Sequence, residues 1–176
     1  MKRVGILAGG PSSQPNADYM RTCEAVVCMN QSVKWWPHPD MYCVADPDFI
    51  AANRELIDPL ALTHCQIVQG IVTNMGGYAT RVLDIADTVI HYGYEDRLFH
   101  GRTVGVLAIR CAIMLLGATH LVIAGVDGYT EAERGIAARP INEAQAKALR
   151  MIRDMHPSVT WEWRGGTLIE ELMDAH

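Results

Sequence analysis

The residues best suited to hold a phosphate follow the first apolar run of the chain, at Gly9, Gly10, Pro11, Ser12 and Ser13. Glycines lack side chains, so a phosphate can approach the backbone there and accept hydrogen bonds from the next N–H groups. The stretch matches neither the Gly-x-Gly-x-x-Gly fingerprint of dinucleotide sites nor the phosphate loop that ends in Gly-Lys-Ser/Thr. A turn without any ligand is therefore the alternative to a binding loop.

The stretch 91–102 is dense in ionisable and aromatic side chains and carries the candidate reacting groups. His91 and His100 are candidate general bases, because imidazole titrates near neutral pH. Arg97 and Arg102 could neutralise a diphosphate. A single histidine is more often structural, but two histidines and two arginines in one short stretch favour a reacting site.

Polar side chains also follow three other apolar runs. Asn30 could hydrogen-bond a ribose or a base edge, with a turn-forming role as the alternative. Asp46 and Asp48 could hold Mg²⁺ with its waters, or one of them could cap the next helix. We assign the cap to Asp48 and a functional role to Asp46. Asp127 could contact a substrate or cap the turn that Gly128 completes.

Several of the apolar runs are continuous rather than alternating, which is typical of strands that are covered on both faces in a parallel sheet. They are short and bounded by turn residues, as strands are. The strand candidates lie at 3–8, 24–29, 41–45, 66–73, 87–92, 120–126 and 159–163.

Helical patterns separate these runs, and the strongest begins at Pro140 and ends before Pro157. The alternation predicts a Rossmann-like, doubly wound αβα fold with a mostly parallel sheet of about seven strands. Ligands bind outside the carboxyl ends of such strands, so the polar residues above would converge there. With no repeat or linker, we predict one domain over 1–176. The helix candidates lie at 48–57, 77–86, 103–116, 140–155 and 167–174.

The composition of the chain argues against some classes of binding partner. The chain has 49% hydrophobic and 20% charged residues and a net charge of -5, so it lacks the basic footprint of a nucleic-acid-binding protein. No apolar stretch is long enough to span a membrane, and the five cysteines include no Cys-x-x-Cys pair. We expect a cytoplasmic protein with reduced thiols, no membrane partner and possible homo-oligomers through Trp35, Trp36 and helix 103–116.

The motifs occur in an order more specific than any one of them. Gly-Gly-Pro-Ser ends at Ser12, Cys-Met-Asn-Gln ends at Gln31, and Asp46-Pro47 follows the third run. Further on, Leu-Gly-Ala at 116–118 ends an alanine-bearing helix, and 122–127 reads Val-Ile-Ala-Gly-Val-Asp. This order resembles the Campylobacter-type bacterial sialyltransferase family over nearly the whole chain. It is also similar to the archaeal 6-hydroxymethylpterin pyrophosphokinase family.

The resemblance implies a nucleotide held by Gly10, Pro11, Ser12 and Asn30. The sialyltransferases carry Asn-Pro where this chain has Asp46-Pro47, and an acid at that point suits metal-assisted phosphate chemistry somewhat better. With the residue-based candidates added, the predicted nucleotide-binding set is Gly9, Gly10, Pro11, Ser12, Asn30, Asp127 and Arg102.

Three functional hypotheses follow. The first is a nucleotide-dependent transferase, a small sialyltransferase-like glycosyltransferase that uses a nucleotide sugar and requires no cofactor. In it, His100 or His91 deprotonates an acceptor hydroxyl and Arg102 helps to hold the phosphate. The second is a magnesium-dependent diphosphotransferase acting on a hydroxymethyl group, with Asp46 positioning the metal. The third is a non-catalytic nucleotide-binding module.

Overall fold

The computed structural model describes residues 1–73, 84–93, 103–165 and 167–175. Its centre is one seven-stranded sheet with the order β5-β4-β3-β2-β1-β6-β7, and every neighbouring pair of strands is parallel. The strands are β1 (Arg3–Leu7), β2 (Ala25–Met29), β3 (Met41–Val44), β4 (Gln66–Thr73), β5 (Thr88–Gly93), β6 (His120–Ala124) and β7 (Thr160–Trp163).

Among the described residues, helices lie between every pair of consecutive strands except β4 and β5, in the crossovers that parallel pairing requires. The α-helices are α1 (Ser13–Asn16), α2 (Pro47–Ala52), α3 (Arg54–Ile57), α4 (Val104–Met114), α5 (Glu131–Arg134), α6 (Ala138–Met155) and α7 (Leu168–Asp174). Short 3₁₀ helices lie at Asp18–Thr22, Asn30–Lys34, Asp58–Leu62 and Gly135–Ala137. No helix within the described ranges is long and apolar enough to cross a bilayer.

Side chains that alternate along the strands divide the core into two layers. Ile6, Val27 and Ile123 pack on one face of the sheet against buried residues of α4, α6 and α7. Leu7 and Val26 point to the other face, where residues of α2, α3 and the first three 3₁₀ helices pack in the same cluster. The structure therefore confirms the prediction of a doubly wound αβα fold, and every pair of neighbouring strands in its sheet is parallel.

The helix predictions are confirmed in part. The predicted helix 48–57 is broken at Asn53, whose side-chain amide donates to the Phe49 carbonyl at 2.8 Å and so competes with a continuous helix. Of the predicted helix 77–86, residues 77–83 lie outside the described ranges, and 84–86 form a turn and an irregular segment before β5. The four 3₁₀ segments were not predicted, because runs this short have no periodicity to read.

The sheet order determines where a ligand can enter. The chain steps outward from β1 to β5 and then returns to place β6 on the opposite side of β1. A crevice opens where the two directions diverge, outside the carboxyl ends of the strands, and this switch point is the usual ligand position in open α/β sheets. The loops after β1 and β6 border this crevice.

Candidate functional site

A cleft of about 390 Å³ lies at this switch point. The loops that follow β1, β2, β3 and β6, the first turn of α4, the end of α5 and one side chain of α6 form its walls. Its lining residues are Ala8, Gly9, Gly10, Pro11, Met29, Asn30, Gln31, Asp46, Phe49, Thr103, Val104, Gly105, Gly125, Val126, Asp127, Gly128, Tyr129, Glu133, Arg134 and Gln145.

Ser12 joins the loop after β1 to the loop after β6. Its backbone N–H donates to Asp127 Oδ2 at 2.7 Å, and its hydroxyl donates to Asp127 Oδ1 at 2.5 Å. The same hydroxyl accepts from the Gly125 N–H at 2.7 Å. Both oxygens of Asp127 thus hold the glycine loop in place, and a direct ligand contact by Asp127 stays a prediction.

Two glycines are required by the close approach of these loops. The Gly10 N–H donates to the Gly125 carbonyl at 3.0 Å, and a Cβ on Gly10 would lie 2.5 Å from that oxygen. Gly125 has φ 78°, and a Cβ there would overlap the Ser13 hydroxyl. At Gly9, in contrast, the nearest atom to an added Cβ is Gln31 Cγ at 3.5 Å, an ordinary contact. Packing therefore explains Gly10 and Gly125 but leaves Gly9 unexplained.

Most of the loop's N–H groups already have acceptors. Gly10 donates to Gly125, Ser12 to Asp127, and Ser13 to the Gly10 carbonyl at 3.1 Å, while Pro11 has no N–H. Gly9 is the remaining N–H of this loop without an acceptor among the described residues. The expectation that several successive N–H groups face a phosphate is therefore not met, because Gly10 and Ser12 donate to the loop after β6 and Ser13 donates within its own loop.

The first turn of α4 instead offers the N–H groups of Val104 and Gly105, which have no acceptor among the described residues. Thr103 is the N-cap residue and makes no side-chain cap hydrogen bond, so the early N–H groups of α4 lack that partner. Val104 and Gly105 line the cleft, where the positive end of an eleven-residue helix favours an anion. Gly105 also leaves room for the buried Gln145, whose Nε2 would be 3.2 Å from a Cβ at that position.

Asn30 combines both roles considered for it. Its φ of 51° is left-handed, a conformation that asparagine tolerates better than most residues, and its carbonyl accepts from the Tyr42 hydroxyl at 3.0 Å. Its side-chain Oδ1 is buried and has no hydrogen-bond partner in the described part of the chain, and the same holds for Thr103 Oγ1. An unsatisfied buried acceptor costs about 1–3 kcal/mol, which a ligand donor would recover.

Asp46, and not Asp48, caps α2. Asp46 Oδ1 accepts from the N–H groups of Asp48 at 2.9 Å and Phe49 at 3.3 Å. The assignment of the cap to Asp48 is wrong, because Asp46 has the extended backbone of an N-cap residue and Asp48 already lies in the first turn. Asp46 also lines the cleft. No cluster of three or more metal-ligating side chains occurs within the described ranges.

The candidate reacting groups lie largely beyond the described residues. His100, Arg97 and Arg102 fall outside the described ranges, and their roles stay predictions. The backbone of His91 lies in β5, paired with Ile71. Four strand spacings of about 4.8 Å separate β5 from β1, so this backbone runs roughly 19 Å from the glycine loop's strand. The cleft also reaches Asp46 after β3, two strand spacings from β5, and a catalytic role for His91 stays a prediction.

The loop after β6 contributes residues that sequence reasoning missed. Asn142 of α6, which is 2% exposed, clasps the backbone of Tyr129: its Oδ1 accepts from the Tyr129 N–H and its Nδ2 donates to the Tyr129 carbonyl, both at 2.8 Å. The Arg134 guanidinium lies 4.9 Å from the centre of the Tyr129 ring. In the sequence, Asn142 could have been identified as a polar residue on the buried face of a predicted helix. Nothing in the sequence pattern points to Arg134.

Glu133 lies beside Arg134 and is also held in place. Its Oε2 accepts from the Thr130 N–H at 2.7 Å and from the Thr130 hydroxyl at 2.9 Å, forming a capping box at the start of α5. These hydrogen bonds, the backbone one first, lower the pKa of Glu133 from its usual value. The carboxylate is therefore ionised at neutral pH and adds negative charge to the cleft.

The comparisons with known proteins bear on the fold. No protein-family model and no curated protein matches the sequence. Among solved structures, a mutant of the Campylobacter α-2,3/8-sialyltransferase CstII matches with a TM-score of 0.54, covering 98% of this chain and 85% of that chain. The sequence identity is 15%. The match shows the fold alone. None of these findings supports the pyrophosphokinase resemblance.

Proposed function

We propose that this protein is a nucleotide-dependent transferase, a small sialyltransferase-like glycosyltransferase that takes its donor group from a nucleotide sugar. The observation that carries the proposal is the cleft at the β1/β6 switch point. There the first N–H groups of α4 and the Asn30 side-chain oxygen, which have no partner in the described part of the chain, line one cavity. The likeness of the fold to that of the sialyltransferase neighbour supports the choice of reaction class.

The cleft offers complementary contacts to the parts of such a donor. The Gly9 N–H and the N-terminus of α4 suit the phosphate, and Asn30 Oδ1 suits an N–H or O–H donor of the base or ribose. In the transfer, an acceptor oxygen forms a bond to the anomeric carbon as the bond from that carbon to the phosphate oxygen breaks. The acceptor proton passes to His100 or His91, and the negative charge left on the nucleotide phosphate is stabilised by the N–H groups and Arg102.

A thermal-shift screen tests the binding step. The purified protein is mixed with nucleoside mono-, di- and triphosphates and nucleotide sugars, each with magnesium and with chelator. A ligand at roughly 100 times its Kd adds about 2.7 kcal/mol of stability, which shifts Tm by several degrees in a domain of this size. Asn30→Gly is the matched variant, because glycine keeps the left-handed backbone and removes the orphaned oxygen. It should fold normally and lose most of the shift.

The donor found in this screen then serves as substrate in a hydrolysis or transfer assay. The proposal expects turnover without metal that is abolished in His100→Ala or in His91→Ala. Stabilisation by a triphosphate only with magnesium would favour the diphosphotransferase instead. Binding without turnover would favour the non-catalytic module, and no shift with any compound would overturn nucleotide binding itself.

A further inference from the structure

The carboxylates and the arginine that line the cleft differ in the partners they have within the protein. Each of its three described carboxylates is held by N–H or O–H donors: Asp46 by the first turn of α2, Asp127 by Ser12, and Glu133 by Thr130. Arg134 is the one cationic side chain among the described lining residues. Within those residues it forms no ion pair at 4.0 Å or less, although its charge contributes to lowering the pKa of the neighbouring Glu133.

The position of Arg134 is set by a chain of contacts that begins in the core. Asn142 is buried on α6 and clasps both polar backbone groups of Tyr129. Gly128, with φ 87°, brings the chain against that amide, since a Cβ on it would lie 3.1 Å from Asn142 Oδ1. The Tyr129 ring then holds the Arg134 guanidinium at the cleft by a cation–π contact. The cation is thus preorganised although the side chain is exposed.

The glycine loop contributes no positively charged side chain to the cleft. Three of its N–H groups are bonded within the protein, which leaves Gly9 and the first turn of α4 as neutral donors. A phosphate group entering this cleft would also meet the ionised Glu133. Among the described lining residues Arg134 is the cation that can offset this charge, and guanidinium matches phosphate oxygens with paired hydrogen bonds.

We propose that Arg134 binds the phosphate group of the ligand in this cleft, together with the N-terminus of α4. This inference rests on the proposed function for the identity of the ligand, but the phosphate site can be tested on its own. Glu133 opposes it by like charge, so the two neighbouring residues have opposite effects on affinity.

The test is isothermal titration calorimetry with inorganic pyrophosphate and with the common nucleoside 5′-monophosphates and their parent nucleosides. Arg134→Gln should weaken binding of every phosphate compound about tenfold, the equivalent of about 1.4 kcal/mol, and leave any nucleoside binding unchanged. Arg134→Lys should weaken it less, since the charge remains without the paired geometry. Glu133→Gln should strengthen it about threefold, because glutamine keeps the capping box and removes the charge.

Arg139→Gln is the control, an exposed arginine on α6 whose ion pair with Glu143 lies outside the cleft. Unchanged phosphate binding in Arg134→Gln, or an equal loss in Arg139→Gln, would overturn the inference. If pyrophosphate binds through Arg134 but no nucleotide binds the wild type, the phosphate site stands and the proposed function fails. If neither binds, both fail.

Discussion

Two adjacent glycines in the loop after β1 have different reasons to be glycine. Gly10 lies against the protein's own backbone, with the Gly125 carbonyl and Asp127 Oδ2 both 2.5 Å from where a Cβ would be. Gly9 faces the cleft and has only ordinary contacts around that position. At residue scale, packing within the protein requires glycine at position 10, whereas at position 9 we assign the glycine to ligand binding.

The substitutions Gly10→Ala and Gly9→Ala test this separation. Gly10→Ala should lower the free energy of unfolding by about 1–3 kcal/mol, because backbone atoms must move to admit the methyl group. Gly9→Ala should leave stability within about 0.5 kcal/mol and weaken the binding of the donor found by thermal shift. Urea denaturation without ligand and titration with ligand provide the two measurements. A destabilised Gly9→Ala variant would contradict the assignment.

At the scale of elements, one carboxylate at the start of α2 has two roles that removal of the side chain cannot distinguish. Asp46 caps the helix with Oδ1 and also lines the cleft, so its removal would disturb both. Loss of activity in an alanine variant would therefore say nothing about metal binding. Asparagine is as good an N-cap as aspartate but carries no charge, which allows the two roles to be separated.

We expect Asp46→Ala to cost about 0.5–2 kcal/mol of stability and Asp46→Asn to cost almost none. Thermal or urea unfolding of the two variants measures this difference. If the glycosyltransferase proposal holds, Asp46→Asn also retains activity in the presence of chelator. An Asp46→Asn variant that folds normally but loses a magnesium-dependent activity would support the diphosphotransferase hypothesis.

The sequence predicted the strands well and the cleft only partly. Continuous apolar runs such as 120–126 identify buried parallel strands, and strand ends in such a sheet locate Gly9, Asn30 and Asp127 near one edge. The pattern Asp-Pro-Asp at 46–48 is compatible with a helix cap at either aspartate, and only the backbone conformation of the folded chain identifies Asp46 as the cap. Arg134 could not be predicted, because its place depends on Tyr129 and Asn142, which come together only in the folded chain.

At the scale of the whole molecule, one carboxylate ties the outer strand β7 to the centre of the sheet. Glu162 accepts hydrogen bonds from Arg3 at 2.8 Å, Tyr19 at 2.9 Å and His120 at 2.9 Å, and it forms an ion pair with Arg164 at 2.6 Å. Burial alone would raise the pKa of Glu162, but these hydrogen bonds and the arginine charges outweigh it and lower that pKa. The network joins β1, β6, β7 and the segment Asp18–Thr22.

This network should make stability depend on acid pH. Since the folded-state pKa of Glu162 lies below the unfolded one, its contribution is present above the ordinary glutamate range and is lost as pH falls through the folded pKa. Glu162→Gln should lower the free energy of unfolding at pH 7 by about 1–3 kcal/mol and reduce its fall between about pH 5 and pH 3. Urea denaturation across that range measures both effects, with the exposed Glu55→Gln as control. Equal pH dependence in Glu162→Gln and wild type would contradict the role.

The central position of β1 has a consequence for how the protein emerges from the ribosome. β1 comes first in the chain, yet one of its edges pairs with β6, whose residues follow more than a hundred positions later. During synthesis that edge offers unpaired N–H and C=O groups to any passing strand, a hazard that lasts until residue 124 has left the exit tunnel. Asp127 and Ser12 meet at the same late moment. Pairing with β6 therefore covers this edge of β1 at the same stage at which the loops after β1 and β6 come together to form the cleft.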